Sequence, residues 1–272
     1  MDSDDFASLA TPDLLIRAAA LASEGAGWDS DEYWAVVWAL RRRPERPVFD
    51  RAAGWCANTN AAYRALGADV LAQLGAPAFP FAVDSTPILA SLLHDPDDDV
   101  LISALYGLGH QRVGSTPEIA AFARHASNDV RRATAGALGG REEPIALDAL
   151  RLLTADADVD VRNWATFALG TLCESDSSEI RDALAARLGD DEGEIRGEAL
   201  VGLARRQDPR ATEGIAAELA RDVVGMLAIE AAELMPSRQF VPRLRALFES
   251  EPDDETLRAL QSCEAVTDPP AA

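Results

Sequence analysis

Small and apolar side chains recur four, seven and eight places after a lead position, as in Val161, Ala165, Ala168 and Leu169, and again in Ile195, Ala199, Gly202 and Leu203. That spacing builds one apolar face on a helix. The stretch DVRNWATFALG (Asp160–Gly170) is one copy of a longer pattern. NDVRRATAGALGG (from Asn128) and DDVLISALYGLGH (from Asp98) precede it, and GEIRGEALVGLAR (from Gly193) and DVVGMLAIEAAEL (from Asp222) follow. ALGADVLAQLG (Ala65–Gly75) and DEYWAVVWALR (Asp31–Arg41) fit more loosely. The lead residues Glu32, Leu66, Val100, Val130, Val161, Ile195 and Val224 are spaced by 34, 34, 30, 31, 34 and 29. A fixed period of this length is the mark of a repeat architecture.

Between these helices the pattern predicts others: TPILASLLH from Thr86, TPEIAAFARH from Thr116, PIALDALRLL from Pro144, SSEIRDALAARL from Ser177 and PRATEGIAAEL from Pro209. Thr followed by Pro is a good helix opening, and the acidic or Asn residues before the lead positions suit an N-cap. One period is therefore two antiparallel helices, and the chain is expected to be all-α, an α-solenoid of seven to eight helical pairs. The pattern predicts one repeat domain over 1–264, with divergent N-terminal repeats (12–75), the clearest repeats over 84–205, capping repeats over 209–264 and a frayed tail at 265–272.

An acidic turn, then Val-Arg, then Ala and Leu-Gly at helical spacing resembles HEAT repeats of the short, bilin-lyase-like type. The resemblance covers roughly residues 12–250, and Val130-Arg131 and Val161-Arg162 carry it most closely. WATFALGT, EIRDALAARL and EALVGLARR are also similar to actinobacterial HEAT-repeat proteins, which implies no particular activity. The family resemblance implies inter-repeat ladders, with Asp129, Asp158 or Asp160, and Glu194 pairing with Arg131, Arg162 and Arg196. It also implies that the second helix of each pair lines the concave surface.

Composition narrows the function. The chain is 48% hydrophobic but only 6% aromatic, so its apolar content is mainly the helix formers Ala and Leu. Its net charge is −21 and all 25 basic residues are Arg. Such a surface repels phosphate backbones and anionic membranes, so nucleic acid is disfavoured as a partner. No apolar run approaches the ~20 residues needed to span a bilayer. Cys56, Cys173 and Cys263 are far apart with no CxxC, and the acidic MDSDDFASLATPDLL lacks a basic leader region, so a reducing cytoplasm is the expected setting.

No phosphate loop, GxGxxG or GxSxG appears, and no cofactor is implied. Stacked repeats would keep His94, His110 and His125 apart, and DPDDD (Asp95–Asp99) lacks the Gly and distal Glu of a calcium loop, so no metal is expected. The iron-binding HEAT enzyme deoxyhypusine hydroxylase uses His-Glu pairs, whereas these histidines precede Asp95, Gln111 and Ala126. What the repeat does not require is an apolar strip on second helices, Trp34, Trp38, Tyr106 and Phe167, with Arg132 and Asn163 beside it. It is either a partner-binding surface or a set of rings packed between repeats, and Trp164 is assigned to the core. The reading that follows is a non-catalytic, monomeric scaffold that holds a protein or peptide, basic if it answers the acidic exterior, on its concave face through these six residues. Two alternatives stand beside it. One is a HEAT-like enzyme or ligand binder, resembling a bilin lyase or an alkylpurine DNA glycosylase with Arg132, Arg162, Arg205 and Arg206 on phosphates. The other is an immunity protein that neutralises a basic toxin.

Overall fold

In a computed structural model, which describes Phe6 and residues 8–266, the described residues form sixteen α-helices and no strand. The tail expected beyond 264 lies, from 267 onward, outside the described residues. The contacts divide the chain into two compact units, Met1–Leu138 and Gly139–Ala272. The first holds four pairs: α1 (Thr11–Ser23) with α2 (Asp31–Arg41), α3 (Arg46–Cys56) with α4 (Ala61–Gln73), α5 (Ala82–Leu92) with α6 (Asp98–His110), and α7 (Thr116–Ala120) with α8 (Asn128–Leu138). The second holds four more: α9 (Pro144–Leu153) with α10 (Val159–Phe167), α11 (Ser178–Ala185) with α12 (Gly193–Arg205), α13 (Arg210–Leu219) with α14 (Met226–Leu234), and α15 (Val241–Ser250) with α16 (Asp254–Glu264).

The second helices share an opening. The side chains of Ser30, Asn60, Asp97, Asp158 and Asp253 each accept a backbone N–H in the first turn, satisfying donors the helix leaves unpaired. The buried residue three places after the cap is the true lead: Tyr33, Val100, Val161 and Thr256. The same spacing, counted from Asn60 and Gly225, puts the leads at the half-buried Tyr63 in α4 and the buried Ala228 in α14. The sequence register at Glu32, Leu66 and Val224 is therefore corrected by one, three and four residues. Two first helices also differ from expectation. The helix predicted from Thr86 begins at Ala82 and carries Pro87 inside it, with Thr86 Oγ1 donating to the Ala82 carbonyl. The helix predicted from Thr116 stays α-helical for five residues and then tightens to a 3-10 turn over Ala121–Arg124.

Within each unit the second helices stack directly on one another, while first helices mainly touch their own partners. Small residues permit the close approach. A Cβ placed at Gly109 would lie 2.7 Å from the Cα of Ala137, and one at Gly202 would lie 2.7 Å from the Cα of Gly170. The repeat positions Val161, Ala165, Ala168 and Leu169 are completely buried, as are Val100, Leu105 and Leu108. The second-helix layer is thus the tight side of each stack, and side chains too large for it must turn outward.

Candidate functional site

The arginines of the repeat are scaffold. Arg162 donates to the carbonyls of Asp156 and Ala157 with Nη1 and to Asp190 with Nε at 3.0 Å. Arg196 repeats this with the carbonyls of Asp190 and Asp191 and with Glu218 at 2.7 Å. Arg64 does so with Asn58, Thr59 and Asp95 at 2.6 Å. Arg131 donates to the carbonyls of His125 and Ala126. The carboxylates bonded to Arg162 and Arg196, Asp190 and Glu218, come from the following helical pair, and of the acids expected beside Arg162, Asp158 acts on it electrostatically. The guanidinium holds its own turn with one edge and reaches forward with the other. Burial opposes ionisation of Asp190, but hydrogen bonds from Arg162 and its neighbours hold its pKa below the usual value. Asp129 pairs with Arg132 one turn on, at 2.9 Å.

In the first unit the structure brings Trp34, Trp38 and Tyr106 into one aromatic cluster, through a residue the repeat pattern does not mark. Trp28, in the loop between α1 and α2, stands 5.2 Å from Trp34 and 5.3 Å from Tyr106 between ring centroids. Trp34 and Trp38 are 6.3 Å apart, and the Trp34 Nε1 donates to the Trp28 carbonyl. Tyr106 also stacks on His110. Trp34 and Tyr106 are half-buried in this cluster, whereas Trp38 remains 50% exposed. Burial raises the Tyr106 hydroxyl pKa against the pull of the Arg132 guanidinium. The helix between these two rows, α4, contributes the buried Ala65, Ala68 and Ala72, and with them a buried acid. Asp69 accepts a 2.6 Å hydrogen bond from the Tyr33 hydroxyl, and burial pushes its carboxyl up to about 7.

In the second unit Asn163 and Phe167 lie one turn apart on α10 and are half-buried. Trp164 corrects the sequence reading: it is 42% exposed and meets the Phe167 ring edge-on at 6.1 Å. The same place in the repeats of the first unit holds Leu66, Ser103 and Ala133, all completely buried, and in the next repeat of the second unit it holds the half-buried Glu198; an indole exceeds the space the buried positions offer. After Phe167 the helix widens into a π turn over Ala168–Leu172. Thr171 on that turn approaches Glu198 of α12 at 3.5 Å. Burial first, then the charges of Glu230 and Glu194, push the Glu198 carboxyl up to about 7.

The arginines proposed for phosphates are otherwise engaged. Arg206 is buried and donates to backbone carbonyls around the π turn, Arg162 belongs to the ladder, and Arg205 faces Glu174 at 3.5 Å. Among the described residues no three His, Cys, Asp or Glu side chains group as metal ligands, and no helix is long and apolar enough to cross a membrane.

A model of HEAT repeats matches residues 85–170. Protein YibA of Escherichia coli strain K12 is 35% identical over 140 residues, 52% of this chain and 49% of YibA. The matched stretch thus spans about half the length of that curated relative. An X-ray structure of YibA aligns with a TM-score of 0.69 at 25% identity, covering 97% of this chain and 96% of YibA's. The archaeal HEAT-like repeats protein from Thermococcus onnurineus is similar in fold, with a TM-score of 0.51 at 13% identity over 86% of this chain and 96% of its own.

Proposed function

We propose, from the premise that this chain is a HEAT-repeat protein, that it is a non-catalytic scaffold holding a protein or peptide on the second-helix face of its repeats. The observation that carries this reading is a large indole left open on the second-helix layer of each unit, Trp38 in the first and Trp164 in the second, at 50% and 42% exposure. Exposed aromatic surface on a tightly packed helical layer is characteristic of partner anchors. The net charge of −21 favours a basic partner, and the three cysteines, all unpaired and buried, suit a reducing cytoplasm.

The test is affinity capture from extracts of the cells that make the protein. Trp38→Ala/Trp164→Ala is expected to lower recovery of the captured partner by about tenfold or more with the fold intact by circular dichroism. Ile16→Ala, on the outer helix α1 and 69% exposed, should leave recovery unchanged. Equal recovery with the two tryptophans removed would sink the proposal.

A further inference from the structure

The second-helix face of the second unit carries an electrostatic demand that the molecule itself does not meet. Glu194 and Glu198 lie one turn apart on α12, and Glu230 of α14 acts electrostatically on Glu198. Among the described residues none of the three pairs with an arginine. This contrasts with Asp95, Asp190 and Glu218, each held by a ladder guanidinium. The row beside them, on α10, holds Asn163, Trp164 and Phe167, and the Thr171–Glu198 contact joins the two rows. The Asn163 Oδ1 is buried and has no hydrogen-bond donor among the described residues.

We infer that this face binds an arginine-bearing segment of the protein partner, its guanidinium seated on the Trp164 and Phe167 rings and bonded to Glu198 and its neighbours. The inference rests on the scaffold reading and names the chemistry of the partner. A guanidinium is planar and weakly hydrated, stacks on aromatic faces, and presents paired N–H groups that match carboxylate geometry. A metal ion would instead require ligands converging on one point, and among the described residues no three His, Cys, Asp or Glu side chains do so. An arriving cation also offsets the burial and like charges that raise the Glu198 pKa, so the repulsion within the triad gives way to attraction to the ligand.

The probe is an acetylated, amidated peptide with three arginines separated by Gly-Ser spacers, beside the same peptide with citrulline in place of arginine. The full chain is titrated and its five tryptophan indole N–H resonances are followed. The arginine peptide should move the Trp164 resonance saturably and leave that of the buried Trp55 in place. Glu198→Gln/Glu230→Gln should weaken binding about tenfold, and the charge-matched Glu118→Gln/Glu213→Gln, on exposed outer positions, less than about twofold. An unmoved Trp164 resonance, equal weakening by the two double variants, or equal binding of the citrulline peptide would each overturn the inference. If capture needs Trp38 and Trp164 while the arginine peptide leaves Trp164 unmoved, the scaffold reading stands and this one falls. If capture ignores both tryptophans, it is the scaffold reading that falls.

Discussion

Arg206→Met is expected to destabilise the second unit by roughly 3–5 kcal/mol, the range seen when a buried charge network is broken. The side chain is 8% exposed, and its guanidinium donates to the carbonyls of Leu169, Gly170, Cys173, Ser175 and Gly202. These carbonyls belong mainly to the π turn after α10 and the loop following it, where the regular ladder of helical hydrogen bonds ends. Burial depresses the pKa of Arg206, yet the site remains rich enough in acceptors to hold the charge. Met retains the apolar stem and leaves the carbonyls without donors. Arg205→Met is the control, because Arg205 is 35% exposed and among the described residues reaches only Glu174, itself 84% exposed. A surface pair of that kind contributes about 0–1 kcal/mol. Denaturant melting should separate the two variants, and amide exchange over 168–175 should accelerate in the first alone. Equal losses would mean that the π turn does not depend on Arg206.

The second large effect concerns pH. Asp69 is fully buried with its carboxyl raised from 3.8 to about 7, chiefly by burial, against hydrogen bonds that favour its charged form. Between those values the unfolded chain has released the proton and the native protein still holds it. Its contribution to stability is therefore fully present below about pH 4 and is lost as pH rises through 7. The rise corresponds to on the order of 4 kcal/mol. Asp69→Asn keeps an acceptor for the Tyr33 hydroxyl and removes the titration. Relative to the wild type, the variant should gain that much stability between pH 4 and pH 8, read from urea melts at both values. A constant difference would show that the carboxyl titrates normally.

The helical pairs were legible because the stack imposes them: positions such as Val161, Ala165, Ala168 and Leu169 must be small or apolar in every repeat. The register of α4 was not, because Ala65, Leu66, Ala68, Val70, Leu71 and Ala72 are all buried and apolar periodicity cannot choose a face. The cap at Asn60, followed by Tyr63-Arg64, was the better signal, since Arg64 makes the same contacts as Arg162. The ladder acids escaped for a related reason. Asp190 lies 28 residues beyond Arg162, past a whole first helix, so proximity along the chain does not point to it.

Of the candidate site, Trp34, Trp38 and Phe167 could be placed on second helices from spacing alone. Trp28 could not, because a single loop tryptophan carries no period. Asp69 and Glu198 look like ordinary solvated acids in sequence; only the stacked neighbours reveal one sealed under Tyr33 and the other crowded by like charges. Trp164 was misplaced because periodicity ranks positions by direction and ignores the volume available there.

Site-specific photo-crosslinking tests the central claim most directly. A photoreactive amino acid in place of Trp38 or Trp164 probes the second-helix layer, and one in place of Ile16 or Leu152 probes the first-helix layer, all four being exposed. Covalent adducts with the captured partner are expected from positions 38 and 164 and none from 16 and 152. Adducts arising only from 16 and 152 would contradict that claim.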